Sequence, residues 1–294
     1  MPGLAKTPRA VLVAPAGASV PGFLGQIPSR TAVKPSHLAR YLHCTTQSSR
    51  WPLARISAMA SAAPATQLPP LESVKGMLFD IDGTMTDSDP IHFMTFQEIL
   101  KEQGYRGYND GEPITREFFD EHITGGHNSI LSAFLWPERK QAEQDKFSDD
   151  KEARFRELSA GNLKPLPGFM PFLDWIRTSG RPFAAVSNAP KANCISMLKG
   201  IGATEYFPKI VLGEECTRPK PFPEPYLEGL KLINRQPHEC LAFEDSPSGA
   251  TAAIKAGIPT VAILTSQTAE QMESIGCCYC IKDYNELIAL IPKG

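Results

Sequence analysis

From Lys75 onward the sequence alternates short apolar runs with segments of helical periodicity, and that alternation limits the fold more tightly than any other feature. "GMLFDI" (76–81), "PFAAVSN", "KIVLG", "CLAFED", "IPTVAIL" and "CYCI" have the brevity and apolarity of strands buried on both faces. "PFLDWIRTSG", "APKANCISMLKGIG", "EPYLEGLKLINR", "SPSGATAAIKAG", "TAEQMESIG" and "YNELIALI" read as the helices around them. Strands separated by helices of roughly ten to fifteen residues are joined by crossovers and lie parallel. The expected fold class is therefore α/β, a Rossmann-like parallel sheet core covered by helices on both faces. One interval breaks the rhythm. Residues 90–163, between the first and second strands, are too many for a single crossover and read as helices broken at "GYRGYNDGEP" and "ITGGHN". They are expected to form a separate α-helical domain inserted into a core of residues 72–89 and 164–294, with "TDSDP" and "SAGNLKPLPG" as its two hinges.

The charge distribution separates the first 71 residues from the rest. They hold seven basic residues and no acid, and they are rich in Ala, Ser and Pro, with prolines at 15, 21, 28 and 35. Acid depletion of this kind marks an organelle transit peptide, expected for the chloroplast with the mitochondrion as the alternative, followed by a disordered linker. The remaining chain carries 23 basic and 32 acidic residues, an acidic balance that argues against nucleic acid as a partner. No apolar run approaches the roughly 18 to 20 residues of a membrane span, so no membrane partner is expected, and the chain reads as a monomer. Seven cysteines are an odd number scattered without a secretory signal, which does not suggest a disulfide framework. "CCYC" (Cys277, Cys278, Cys280) lacks metal-ligand spacing and reads as buried strand cysteines.

In an open parallel sheet, ligands bind outside the carboxyl ends of the strands. Three of the expected strands end in polar groups: Asp80 and Asp82, Ser187 and Asn188, Glu244 and Asp245. Lys220 lies in the loop after a fourth. Carboxylates this dense repel one another and need a cation or a proton among them. An oxygen-only set of Asp80, Asp245 and Glu244 suits Mg²⁺ accompanied by a substrate phosphate. Asp82 is then free for proton transfer, and Lys220, Ser187 and the Asn188 amide can meet the oxygens of a transferring phosphoryl group.

"FDIDGTMTDSDP", "VSNAP", "KPFPEPY" and "FEDSPSGATAAIKAGI" resemble the four motifs of the haloacid dehalogenase-like hydrolases, in order and approximate spacing. The resemblance covers about Gly76 to Leu290. The inserted helical region is similar to the C1-type cap of the beta-phosphoglucomutase-like branch, and "DSDPIH", "ITGGHN" and "LGEECTRPKPFPEPY" look like the plant broad-range sugar phosphatases of that branch. The resemblance implies that Asp80 is a nucleophile forming an aspartyl-phosphate and that Asp82 is a general acid and base. It further implies that Ser187 and Asn188 bind phosphoryl oxygens and that Lys220 steadies their charge. Asp245 and Glu244 would hold Mg²⁺ with Asp80 and the backbone carbonyl of Asp82. Thr84 would be structural.

Within the family, true dehalogenases lack the second aspartate and phosphonate hydrolases replace it by alanine, so Asp82 points to phosphoryl transfer. His92 is shared with beta-phosphoglucomutases and does not discriminate; as a helix residue it is open between packing and catalysis. Those mutases resemble a Gly-x-x-Arg pattern whose arginine grips a second phosphate, and Asn128 stands at that arginine's place. The expectation is a Mg²⁺-dependent phosphatase acting on small sugar phosphates, with a sugar phosphate mutase as the alternative and a non-catalytic binding module as a third reading. Gly125, Gly126, His127 and Asn128 form the candidate specificity loop. The competing reading of that loop is a helix–helix turn with its N-cap at Asn128 or Thr124.

Overall fold

The computed structural model describes residues 67–291, so the leader expected over residues 1–71 lies outside the described residues except for 67–71. Six parallel strands form one sheet in the order β3-β2-β1-β4-β5-β6. They are β1 (Gly76–Phe79), β2 (Phe183–Ser187), β3 (Ile210–Leu212), β4 (Cys240–Glu244), β5 (Thr260–Ile263) and β6 (Tyr279–Ile281). All four residues of β1 are buried, as are all five of β4, which explains why these runs show no alternation. Phe79 of β1 lies opposite Phe243 of β4, and their rings stack at 4.6 Å between centroids.

Ten helices accompany the sheet among the described residues. Helices α5 (Phe169–Thr178), α6 (Lys191–Gly200) and α10 (Tyr284–Ile288) cover one face. Phe79, Phe169, Phe172, Phe243 and Tyr284 form an aromatic core beneath them. Helices α7 (Glu224–Ile233) and α8 (Pro247–Lys255) cover the other face. There Leu78, Val186 and Ala242 meet Tyr226, Leu230 and Ala252. Helix α9 (Ala269–Ile275) packs through Met272 beside β5 and β6. Local chemistry sets the helix starts that matter for the site. Ser246 caps α8 by accepting from the Gly249 N–H at 3.1 Å, with Pro247 supplying a first helical residue that has no N–H to satisfy.

Between β1 and β2 the chain passes through α1 (Asp89–Glu102), α2 (Arg116–His122), α3 (Asn128–Leu135) and α4 (Gln141–Ser159). These helices close on their own apolar cluster, which includes Phe96, Ile99, Phe119, Leu131, Trp136 and Phe147. The two segments joining this helical lobe to the sheet run side by side. Thr86 bridges to Pro165, its hydroxyl donates to the Lys164 carbonyl at 2.7 Å, and the Leu166 N–H donates to the Met85 carbonyl at 2.9 Å. No described helix is long and apolar enough to cross a membrane.

Candidate active site

The strand order reverses direction at β1: the chain moves outward through β2 to β3, then returns to β4 on the other side. A reversal of this kind opens a crevice at the carboxyl ends of the central strands. The crevice here is a cavity of about 200 Å³ between the sheet and the helical lobe. Asp80, Asp82, Ser187, Asn188, Lys220 and Asp245 line it from below, and His92, Gly125, Gly126, His127 and Asn128 line it from above. Of the candidate catalytic, binding and metal-ligating residues read from the sequence, Glu244 alone does not line the cavity; it lies fully buried beneath.

Lys220 is the hub of the floor. Its ammonium, 3% exposed, donates to Asp80 Oδ1 at 2.7 Å, Glu244 Oε1 at 2.6 Å and the Val186 carbonyl at 2.8 Å. Burial opposes its charge, and the two carboxylates overcome that and hold its pKa above the ordinary lysine range. Glu244 Oε1 also accepts from the Tyr226 hydroxyl at 2.6 Å, and Oε2 accepts from Ser246 at 3.3 Å. Gly249 has no room for a side chain, since a Cβ there would overlap the Glu244 carboxylate. Glu244 is thus the counter-charge of Lys220, and its carboxylate also stands close enough to Asp80 and Asp245 to take the helping part in a metal site expected of it. Asn188 is likewise committed: its amide exchanges two 3.1 Å hydrogen bonds with the backbone of Lys220 and so fixes that loop. Ser187 Oγ accepts from the Ala189 N–H at 3.1 Å and keeps its own proton to donate.

Asp80, Glu244 and Asp245 place one carboxylate oxygen each within 4.8 Å of one another, the only group of three or more acidic, histidine or cysteine ligands this close among the described residues. Asp245 accepts from Thr84 Oγ1 at 3.1 Å and from Ser266 Oγ at 2.9 Å. Gly83, at φ +80°, brings the chain against Asp245 so closely that a Cβ would overlap its carboxylate. Burial pushes the Asp80 carboxyl up to about 8 against the pull of Lys220, with Glu244 adding to the rise. Burial, Asp80 and Glu244 together raise Asp245 well above its usual range. Buried carboxylates that resist ionising next to one another fit a hard divalent cation, which an oxygen-only donor set selects.

Asp82 belongs to a different circle. Its Oδ1 accepts from Ser88 Oγ, and its Oδ2 lies 2.9 Å from His92 Nε2. Burial works against its charge, but His92, Ser88 and the Lys151 ammonium outweigh it and hold the carboxyl at about 2. The His92 ring stacks on Phe155 at 4.1 Å, so packing and a contact with Asp82 coexist in one residue.

The loop of the lobe that faces the cavity runs from the end of α2 to the start of α3. His127, and not Asn128 or Thr124, occupies the N-cap position of α3, and its side chain makes no cap bond. His127 Nε2 instead stands 3.4 Å from the Asn188 amide nitrogen. The Asn128 side chain, expected to reach substrate hydroxyls, is already engaged: it donates to Glu152 Oε1 at 2.6 Å, and Lys151 Nζ lies 3.4 Å from its Oδ1.

Lys151 and Glu152 are the site residues that sequence reading missed, together with Tyr226, Ser266 and Asn193. A signal existed for Lys151. It lies between Phe147 and Phe155 at intervals of four on α4, hence on the buried stripe of that helix, where an unpartnered lysine would be costly. The cysteines are less uniform than expected. Cys277 and Cys278 are buried but precede β6, and Cys280 within β6 is partly exposed.

The family model for haloacid dehalogenase-like hydrolase matches residues 77–263. The chain is similar to a haloacid dehalogenase-like hydrolase domain-containing protein of Arabidopsis thaliana, 25% identical over 256 residues, or 79% of this chain and 77% of that one. It is also similar to the phosphorylated carbohydrates phosphatase of Thermotoga maritima, 26% identical over 188 residues, or 64% of this chain and 84% of that one. Among solved structures, a HAD hydrolase of family IA, variant 3, from Entamoeba histolytica aligns with a TM-score of 0.65 at 24% identity. It covers 72% of this chain and 94% of its own, which shows a shared fold.

Proposed function

This chain belongs to the haloacid dehalogenase-like hydrolases, and from that premise we propose that it is a Mg²⁺-dependent phosphatase releasing inorganic phosphate from small sugar phosphate monoesters. The observation that carries the reading is that Asp80 and Asp82, two residues apart, are held by separate sets of partners. Asp80 is tied to Lys220 in the floor, and Asp82 to Ser88 and His92 at the start of α1. Two carboxylates in environments that push their pKa values apart are suited to two roles in one reaction. The likeness to a phosphorylated carbohydrates phosphatase supports sugar phosphates as the substrate class.

In this mechanism Asp80 attacks phosphorus, the bond from phosphorus to the sugar oxygen breaks, and the Asp82–His92 pair delivers the proton that the leaving alcohol needs. The Asp82 carboxylate, its His92 partner having given up the proton, then takes a proton from the water that attacks the aspartyl-phosphate. The bond from phosphorus to Asp80 breaks, which returns the nucleophile and frees phosphate. Ser187 donates to the phosphoryl oxygens, and the Lys220 ammonium, whose three protons are already given to Asp80, Glu244 and Val186, offsets by its charge the negative charge that develops on them. Asp80 and Asp245, with help from Glu244 and the backbone carbonyl of Asp82, would hold the Mg²⁺. When bound there, it supplies the positive charge that lets Asp80 stay ionised beside a dianionic phosphate. The helical lobe swings on the paired segments around Thr86 and Pro165 to admit substrate and exclude water. Asn128, spent on Glu152, offers no clamp for a second phosphate, which favours release over mutase transfer.

The test is phosphate release from a panel of sugar phosphates with Mg²⁺, wild type beside Asp80→Asn, with turnover of beta-glucose 1-phosphate to glucose 6-phosphate followed in parallel. Release that the substitution abolishes is the expected result. Isomerisation without release would make the chain a mutase, and silence in both assays would leave a binding module.

A further inference from the structure

Among the described residues, the roof of the cavity contains a single ammonium, and it is neutralised. Lys151, 5% exposed on α4, is the one lysine or arginine among the lobe residues lining the cavity. Its Nζ donates to Glu152 Oε1 at 2.8 Å. Glu152, 7% exposed, also lines the cavity, and three donors pin its carboxylate in place. Oε1 accepts from Asn128 at 2.6 Å and from Lys151, and Oε2 accepts from Asn193 of α6, which reaches across from the core. Asn193 is itself held by Arg156, whose guanidinium donates to its Oδ1 at 2.7 Å. The carboxylate cannot turn aside for an incoming anion without breaking bonds on both sides of the junction. The two imidazoles of the roof are directed to other groups, His92 to Asp82 and His127 to Asn188. Burial disfavours charge on Glu152, but Lys151, Asn128 and His92 outweigh it and lower its pKa, so it stands ionised at neutral pH.

We propose that Glu152 selects substrates by charge: by neutralising Lys151 and adding a fixed carboxylate to the roof, it admits the uncharged, hydroxyl-bearing end of a monophosphate and rejects a second phosphate group. This rests on the phosphatase reading above. A second phosphate would bring about two negative charges into a partly desolvated space where no described lysine or arginine of the roof is left uncompensated, and where like charges repel far more strongly than in water. The Lys151 ammonium, which gives protons to Glu152 and Asn128, keeps one for a neutral hydroxyl, so the same arrangement that repels an anion suits a polyol. Selectivity here comes from a repulsive element built against the wrong ligand as much as from attraction to the right one.

The experiment compares kcat/KM for fructose 6-phosphate, fructose 1,6-bisphosphate and p-nitrophenyl phosphate in the full-length protein with Mg²⁺. Wild type is expected to prefer the monophosphate over the bisphosphate by about tenfold or more, the equivalent of about 1.4 kcal/mol. Glu152→Gln keeps an acceptor for Asn128 and Lys151 but removes the charge, and should raise the bisphosphate to monophosphate ratio by about tenfold. Adding Lys151→Met to that variant should cancel the gain, because the unmasked ammonium is what would attract the second phosphate. Should Glu152→Gln fail to fold, Lys151→Gln provides the opposite arm: it leaves the roof carboxylate unopposed and should lower the same ratio. A merely structural Glu152 would depress all three substrates together and leave the ratio unmoved, and that result overturns the proposal, as does a wild type indifferent to the second phosphate. Release from none of the three by wild type would instead remove the phosphatase premise, and the inference with it.

Discussion

Replacing Lys220 by methionine leaves two carboxylates without the cation they share. Asp80 Oδ1 and Glu244 Oε1 lie 2.7 and 2.6 Å from its Nζ, and Lys220 and Glu244 are 3% and 0% exposed. Removing one partner of a buried ion pair costs about 3 to 5 kcal/mol, chiefly through the charge left behind. The surroundings can absorb only part of that here. Glu244 keeps the Tyr226 hydroxyl, but no other described ammonium or guanidinium bonds to Glu244 or to Asp80. Urea unfolding at pH 7 in EDTA should therefore show Lys220→Met less stable than wild type by about 3 to 5 kcal/mol. If the orphaned carboxylate is the cause, neutralising it should return part of the loss. The double variant Lys220→Met with Glu244→Gln should be more stable than the sum of the two single losses predicts, by about 2 kcal/mol, a coupling typical of residues in one ion-pair network. Gln at 244 can still accept from Tyr226, so the comparison isolates charge. Strict additivity, or a single-variant loss below about 1 kcal/mol, would refute the assignment of Lys220 as the counter-ion of the floor.

Tyr226→Phe removes a buried hydroxyl that donates at 2.6 Å to a charged acceptor, and calorimetry should record a loss of about 1.5 to 3 kcal/mol with the fold intact. Without metal, stability should fall as pH rises from about 4 toward 8, because folded Asp80, pushed up to about 8, still holds a proton that the unfolded chain has released. For the same reason Mg²⁺ must displace that proton. Its stabilisation in a thermal-shift titration should be larger at pH 8 than at pH 6, and equal shifts at the two pH values would contradict the assignment of Asp80 as a ligand.

How much of this was legible in the sequence depended on whether the signal was local. The strands were readable because a fully buried parallel strand is a short apolar run, and β1, β2 and β4 are almost wholly buried. The catalytic candidates were readable because they follow those strands directly, and a parallel sheet must bring such ends to one edge. Lys220 was found for a related reason, in the loop after β3. The roles of Asn188, Asn128 and Glu244 were harder to read. Each is a polar residue whose partners come from elements distant in the chain, so nothing adjacent shows that its hydrogen bonds are already taken.

Helix α4 marks the boundary between the two kinds of knowledge. Its sequence, "QAEQDKFSDDKEARFRELS", has the charge density of a solvated helix, and periodicity identifies it as helical without saying which charges face water. Only its packing against α1, α3 and α6 turns Lys151 and Glu152 inward and closes the roof of the cavity. The sequence by itself determined the parallel sheet, the inserted helices and the carboxylates at the strand ends, because spacing and burial pattern act over a few residues. The tertiary structure alone decided which charges neutralise which, because a buried charge is defined by the groups around it, and those arrive from anywhere along the chain.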